Sequence, residues 1–544
     1  MSDLDKRSID EKIQMIEDDC DKIANRVAFL TRTVDRLWRL VCGMSLVLLV
    51  ISIVLLTVAA RAQEPTRLPT SSDHVGWALS DLVQVSELDR PFMRYLAIPP
   101  WGNERWVSAI GFGVNTSASH ARTIQPSSVI ANGWMVKYDL RKLAPDPPRL
   151  AKLIETWDGL ATQDPYFHVP SSNTNLKAAV IAPHLSQEQA AALAGLTLST
   201  GAVYRADWFI VKSLSTLDGG KYYEFRQVVR DPEKGTALDN WLSQRGLFVG
   251  TTQAVGGERR AAMFRSGVTG KPRRVDVFPT LTGGVGAITR DISDGEVGAD
   301  AHPIRSLLEI RFNGAETIVA QPNGLQDFLL SDAAGNIVNE APPDLVRDHT
   351  VKAPFTARLQ PAISCIRCHG TEQAEGWQPI TNDVAKLLGS KLNVFTDVSK
   401  DLSPEQVADK LAGFYALDLD AADGLIGRGR RDYSTAVFRV AQGIAFEQKS
   451  IVVALSQQIA EIYERYQWDI VTPEIAAREL GVVVPKDYKG SPLDLALGAP
   501  NVAEAIDPIV GFLRIGVPVN RTDWETIYGD VASVAESRRK AGEK

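Results

Sequence analysis

Residues Glu316–Val338 read ETIVAQPNGLQDFLLSDAAGNIV. Two apolar runs, ETIVAQ and LQDFLLSD, flank Pro322-Asn323-Gly324, and a third short run, Ile337-Val338, follows Ala333–Asn336. An Asn-Gly pair between apolar runs is a strong hairpin signal, because the turn needs a positive φ that Gly and Asn tolerate. The stretch predicts a β-meander. It leads, 26 residues on, into Ser364-Cys365-Ile366-Arg367-Cys368-His369.

That hexapeptide contains the Cys-x-x-Cys-His signature of covalent haem attachment. One turn of helix brings both sulfurs to one side, where each can form a thioether with a haem vinyl group. The adjacent imidazole then takes the iron. The expected cofactor is one haem c, held by Cys365 and Cys368 with His369 as proximal ligand. Two other readings of the spacing compete. A dithiol redox motif of thioredoxin type wants a βαβ start, which the preceding segment lacks. A zinc site wants a second Cys-x-x-Cys, and the other cysteines, Cys20 and Cys42, do not form one.

No Met or His follows His369. A distal ligand from those residue types must come from upstream, and His349, His302 and Met263 are the candidates. An open iron position would suit sensing or peroxide chemistry better than electron transfer.

Upstream of the meander, residues 73–345 mix helical and strand signals. Helices are expected at Trp77–Leu88 and at Ser186–Ala194, the latter capped by Ser186 and stopped by Gly195. Strands are expected at Gly133–Tyr138 and Ala206–Val211. Downstream the pattern is helical: Ser403-Pro404-Glu405-Gln406 opens one helix, Ser450–Tyr466 is periodic, Thr472-Pro473 starts a helix ending at Gly481, and Thr522–Glu525 is a capping box. The Gly-rich stretch around Gly283, Gly284 and Gly286 lacks a phosphate-loop Lys and reads as a turn. His120, His168 and His184 are too dispersed for a metal site.

At the other end of the chain, Val41–Ala60 carries no charge over 20 residues, about 30 Å of helix at about 1.5 Å per residue. It is expected to be a transmembrane helix. Arg26, Arg32, Arg36 and Arg39 before it, against Arg61 and Arg67 after, put the N-terminus in the cytoplasm. Ala60-Arg61-Ala62 resembles a signal-peptide cleavage site, but the long patterned segment ahead of it favours an uncleaved anchor. In that segment apolar residues from Ile9 to Val41 alternate at spacings of four and three, a heptad with Ile13, Cys20, Val27, Val34 and Val41 at a. A coiled coil is expected there, making a homodimer or homotrimer through residues 9–41.

The expected fold class is therefore α+β with an N-terminal coiled coil and a single transmembrane helix. Its parts are a cytoplasmic coiled coil (1–40), the membrane helix (41–60), a linker (61–72), an α+β extracytoplasmic domain (73–345) and a mostly helical haem domain (346–544). A net charge of −7 with scattered Lys and Arg excludes a basic field for nucleic acid.

Beyond these motifs, residues 73–530 resemble a family of large exported mono-haem c-type cytochromes of planctomycete-like bacteria. The matching stretches are Arg90–Leu96 (RPFMRYL), Arg205–Phe209 (RADWF), Pro322–Gln326 with Asp332–Gly335, Ser364–His369, and Ala476–Gly481 (AARELG). The resemblance implies export and electron transfer by haem to a redox partner protein, with no defined substrate. One departure is Phe312, where family members often carry a His. A haem enzyme or gas sensor with an open distal site, and an oligomeric interaction scaffold, are the alternative functions.

Overall fold

The computed structural model describes residues 67–542 apart from 103, 119–120, 170–179, 182–184, 229–236, 245–258, 264–271, 281, 293–311, 342–357, 379, 381–382, 385–402, 415–418, 442–449, 469 and 499–506. The first sheet has four strands. β1 (Met93–Ala97) lies antiparallel to β3 (Met135–Asp139), β2 (Ser128–Ile130) pairs β3 on its far side, and β6 (Val203–Arg205) lies parallel to β1. A ribbon of β4 (His168–Val169) and β5 (Val180–Ile181) sits between them in the chain. β1 and β6 are buried at every residue, as expected of strands covered on both faces. Helices α1 (Ser71–Gln84), α2 (Glu104–Ser117), α3 (Gln187–Thr197) and α4 (Ala206–Leu214) pack around this sheet and one another.

The second sheet is an antiparallel meander of β7 (Arg259–Met263), β8 (Arg273–Pro279), β9 (Val285–Ile292), β10 (Phe312–Ala320), β11 (Gln326–Asp332) and β12 (Ile337–Val338), each beside the next. Three of its turns share one geometry. The N–H groups of Gly283, Gly324 and Gly335 donate to the carbonyls of Thr280, Gln321 and Asp332, and each glycine has φ between 83° and 90°. A side chain at that φ is disfavoured, so glycine closes each hairpin. In the last turn Asp332 also accepts from the N–H groups of Ala334 and Asn336.

After the meander come α5 (Ile363–His369), α6 (Leu419–Val440), α7 (Ile451–Trp468), α8 (Pro473–Glu479) and α9 (Arg521–Gly542). α6 lies against β7, β8 and β9. α7 packs against α2, α4 and α5. One continuous apolar core runs from Val75 to Ala532. It is pinned by a buried polar cluster. Glu479 of α8 accepts from Arg205 at 3.1 Å, from Trp524 Nε1 at 2.8 Å and from Arg521. Arg205 also reaches Asp207 at 2.7 Å and stacks 3.4 Å from the Tyr166 ring centroid. Glu525 accepts from the hydroxyls of Tyr166 and Tyr466.

Several expectations are corrected. The fold is a mixed α+β architecture with several sheets, and among the described residues no helix is long and apolar enough to cross a membrane. The two longest helices show why: α6 carries Asp420, Asp423, Arg428, Arg430, Arg431, Asp432 and Arg439, and α9 is comparably charged. The expected membrane helix at 41–60 and coiled coil at 1–40 lie outside the described residues. The stretch after 346 is not a separate helical layer: its helices share the core of the α+β part, and it has a ribbon of its own, β13 (Ile470–Val471) with β14 (Val519–Asn520).

Ala206–Val211, expected as a strand, is helix α4. A short apolar run does not distinguish a buried strand from a helix buried all round, and seven residues from Ala206 to Ser213 are buried here. The helix expected at Trp77–Leu88 starts earlier, at Ser71. The one capped by Ser186 runs through Gly195 to Thr197. Thr522 does not open the last helix, which begins at Arg521.

Candidate functional site

The Cys-x-x-Cys-His motif forms α5, a seven-residue helix. Its start is unusual. Ala362 has φ 60° and ψ −77°, and the Ile363 N–H donates to the Pro361 carbonyl at 2.9 Å. This is a γ-turn of the rarer, positive-φ kind, which costs a non-glycine residue on the order of 1–3 kcal/mol. Surrounding contacts hold it. Buried Gln360, just ahead, accepts from Ser215 Oγ at 2.6 Å and donates to Tyr463 Oη at 2.7 Å, tying the motif to the end of α4 and to α7. On the far side, Gly370 lies so close to α7 that a Cβ there would meet Ser456 Cβ at 2.1 Å. The motif is thus clamped at both ends.

Within the turn, Cys365 is buried, Cys368 is half-buried, and neither is in a disulfide. Their i, i+3 spacing puts both sulfurs on one side. His369 is buried, with Nδ1 lacking any hydrogen-bond partner. Its Nε2 faces Oε1 of Glu316 on β10 at 3.7 Å, and the same oxygen accepts from Cys365 Sγ at 3.7 Å. Opposite pairs place Glu316, Ile318, Phe328 and Leu330 on one face of the meander. From that face Phe328 sets its ring centroid 6.5 Å from the His369 ring.

Burial acts to raise the Glu316 carboxyl. The His369 imidazole, helped by Arg273 and the Cys365 S–H, outweighs it and holds the group below the usual glutamate range. Burial, with the Glu316 charge adding to it, pushes the Cys365 thiol well up, so its sulfur keeps its proton.

The structure brings Cys365, Cys368 and His369 together. Of the distal candidates, His349 and His302 lie outside the described residues. Met263 ends β7, in register through Arg273 and Asp291 with Gly314, so it stands three strand spacings, about 14 Å, from β10. His168 is a structural residue, bonded to Asp164 at 2.8 Å and to the Thr200 carbonyl. Among the described residues no three His, Cys, Asp or Glu side chains form a metal-holding group. The donor set fits a haem rather than a closed protein cage: two sulfurs one turn apart for thioethers, and one adjacent imidazole with a buried nitrogen lacking a partner. Reading the sequence missed Glu316. Its signal was a lone carboxylate on the same strand face as Ile318 and Ala320.

Compared with protein-family models, with curated proteins and with solved structures, the chain matches none. The resemblance to exported mono-haem cytochromes rests on its quoted residues alone.

Proposed function

We propose that this chain is a c-type cytochrome that carries one covalent haem and passes single electrons to a redox partner protein. The observation that supports it is the gathering, within one clamped helical turn, of two thiols and a buried imidazole with a partnerless ring nitrogen. Cys365 and Cys368 would hold the haem, each thiol adding S–H across a vinyl group, and His369 would take the iron. When bound, the haem supplies a one-electron iron couple.

The chain's own residues do the rest. α5 presents both sulfurs on one side. Gln360 and Gly370 fix that turn against α7, and Phe328 stands beside the imidazole. Haem is attached to c-type cytochromes outside the cytoplasm, so the reading puts residues 67–542 on that side.

The test is expression in a host with a periplasmic haem-attachment system. Denatured protein should exceed the polypeptide mass by one haem and stay red. The double variant C365S/C368S should show neither. Colourless wild-type protein of bare polypeptide mass would end the reading.

A further inference from the structure

The segment just after the motif folds back onto it. The Gly376 N–H donates to the His369 carbonyl at 2.8 Å, and Gln378 Nε2 donates to the Cys368 carbonyl at 3.2 Å. Trp377, between them, is thereby fixed against the last turn of α5. Its indole packs on α6: a Cβ at Gly429 would meet Trp377 Cε2 and Nε1 at 3.0 Å, and Val285 Cβ at 3.3 Å. Val285 alternates with Ala287 and Thr289 along β9, and Thr289 is paired with Glu316. The indole therefore lies by the face of the meander that meets Cys365 and His369.

Three donors gather here with no acceptor among the described residues. Trp377 is 2% exposed, and its Nε1–H is buried with no partner. Arg428 and Arg430 stand on either side of Gly429 along α6, and the Nε–H of each is also buried with no partner. Arg430 donates through Nη2 to the Trp377 carbonyl at 2.9 Å, which brings its guanidinium to the tryptophan. Neither arginine forms an ion pair with a described residue. Trp157 also leaves its indole N–H unpartnered, but it is packed against the rings of Tyr204, Phe209 and Phe225. Buried donors in folded proteins find acceptors, and two guanidiniums beside an indole N–H suit a carboxylate.

A haem carries two propionate carboxylates on the edge opposite its vinyl groups. We propose that Trp377 Nε1 and the guanidiniums of Arg430 and Arg428 receive one of them. The inference rests on the haem reading above and extends it to residues outside the motif. Positive charge beside a propionate offsets the pull of its negative charge toward ferric iron. Removing that positive charge should therefore lower the reduction potential.

The experiment uses purified haem-loaded protein and the variants W377F, R430Q and R430K. W377F removes the indole N–H without changing charge, and R430K keeps the charge but lacks the Nε–H. Circular dichroism checks folding, and covalent mass gives haem content. Resonance Raman spectra give the propionate bending band, and spectroelectrochemical titration gives the potential. Folded R430Q is expected to shift the band and lower the potential. Folded W377F and R430K are expected to shift the band while moving the potential less. A shifted band in any folded variant supports the site. A wild-type band in every folded variant overturns it, whatever the potential does. Wild-type protein without covalent haem would instead remove the reading on which the inference stands.

Discussion

Two carboxylates in this molecule, buried Glu479 and half-buried Glu316, live in opposite company. Glu479 is enclosed by two guanidiniums and an indole N–H, all on its two oxygens. Glu316 meets a thiol and an imidazole nitrogen at 3.7 Å and shares its cation with Asp291. Both are held below the usual glutamate range, and in both, burial opposes that shift. The difference is saturation. Around Glu479 both guanidiniums and the indole N–H lie within hydrogen-bond reach of the two oxygens, which ties α8, α9 and the end of β6 together. Around Glu316 the thiol and the imidazole nitrogen stand farther off, at 3.7 Å.

The largest expected effect breaks the first of these. Glu479→Gln leaves Arg205 and Arg521 buried with one full charge fewer to meet them, at a cost of about 3–5 kcal/mol. Urea unfolding should show it as a large fall in midpoint. A loss under about 1 kcal/mol would mean that Asp207 and Glu525 already suffice. The sign with pH also follows. Glu479 is held low when folded, by Arg205 and Arg521 against burial, so its contribution is full above about pH 4.3 and lost as pH falls through the folded value.

Next in size is Gly370→Ala, which drives a methyl into α7 behind the motif. Overpacking of this kind costs about 1–3 kcal/mol. The added Cβ would meet Ser456 Cβ at 2.1 Å and the Ile366 carbonyl oxygen at 2.7 Å, so the double variant G370A/S456G should recover only part of the loss. Thermal unfolding and haem content are to be measured on both. Haem uptake that is unchanged in G370A would show that clamping the turn against α7 is not needed for attachment.

The smallest effect sharpens the comparison within the Glu479 cluster itself. Burial raises the Glu525 carboxyl, against the Tyr166 and Tyr466 hydroxyls and Arg521. A raised carboxyl is a net cost to folding above its folded pKa. Glu525→Gln should therefore stabilise the protein at pH 7, by up to about 1 kcal/mol, with the gain shrinking as pH falls through the folded value and gone below about pH 4.3. Denaturant melts at pH 7 and pH 4 would check it. Destabilisation at both would show that Arg521 needs the charge of Glu525 as well as that of Glu479.

Much of what matters at the motif is legible in the sequence. Cys365, Cys368 and His369 are neighbours in the chain, and one helical turn is enough to gather them. The hairpin at Pro322-Asn323-Gly324 announced itself through a glycine that must take positive φ, and Ser186, Ser403 and Thr472 cap their helices through contacts three residues away. Ala206–Val211 was misread because a run buried on every side has no period to betray its conformation. Glu316 was overlooked because its partners lie 49 and 53 residues further on.

The amino-acid sequence by itself determined the Cys-x-x-Cys-His spacing, the Asn-Gly turn and the caps at Ser186, Ser403 and Thr472, since each depends on groups within a few residues of one another. Only the tertiary structure decided that β10 carries a carboxylate to that motif, and that Arg205, Glu479 and Arg521 close on one another in the core. Those meetings are set by how sheets and helices pack over long chain separations, where the free energy comes from burying shared surface and no local spacing records which side chains will face.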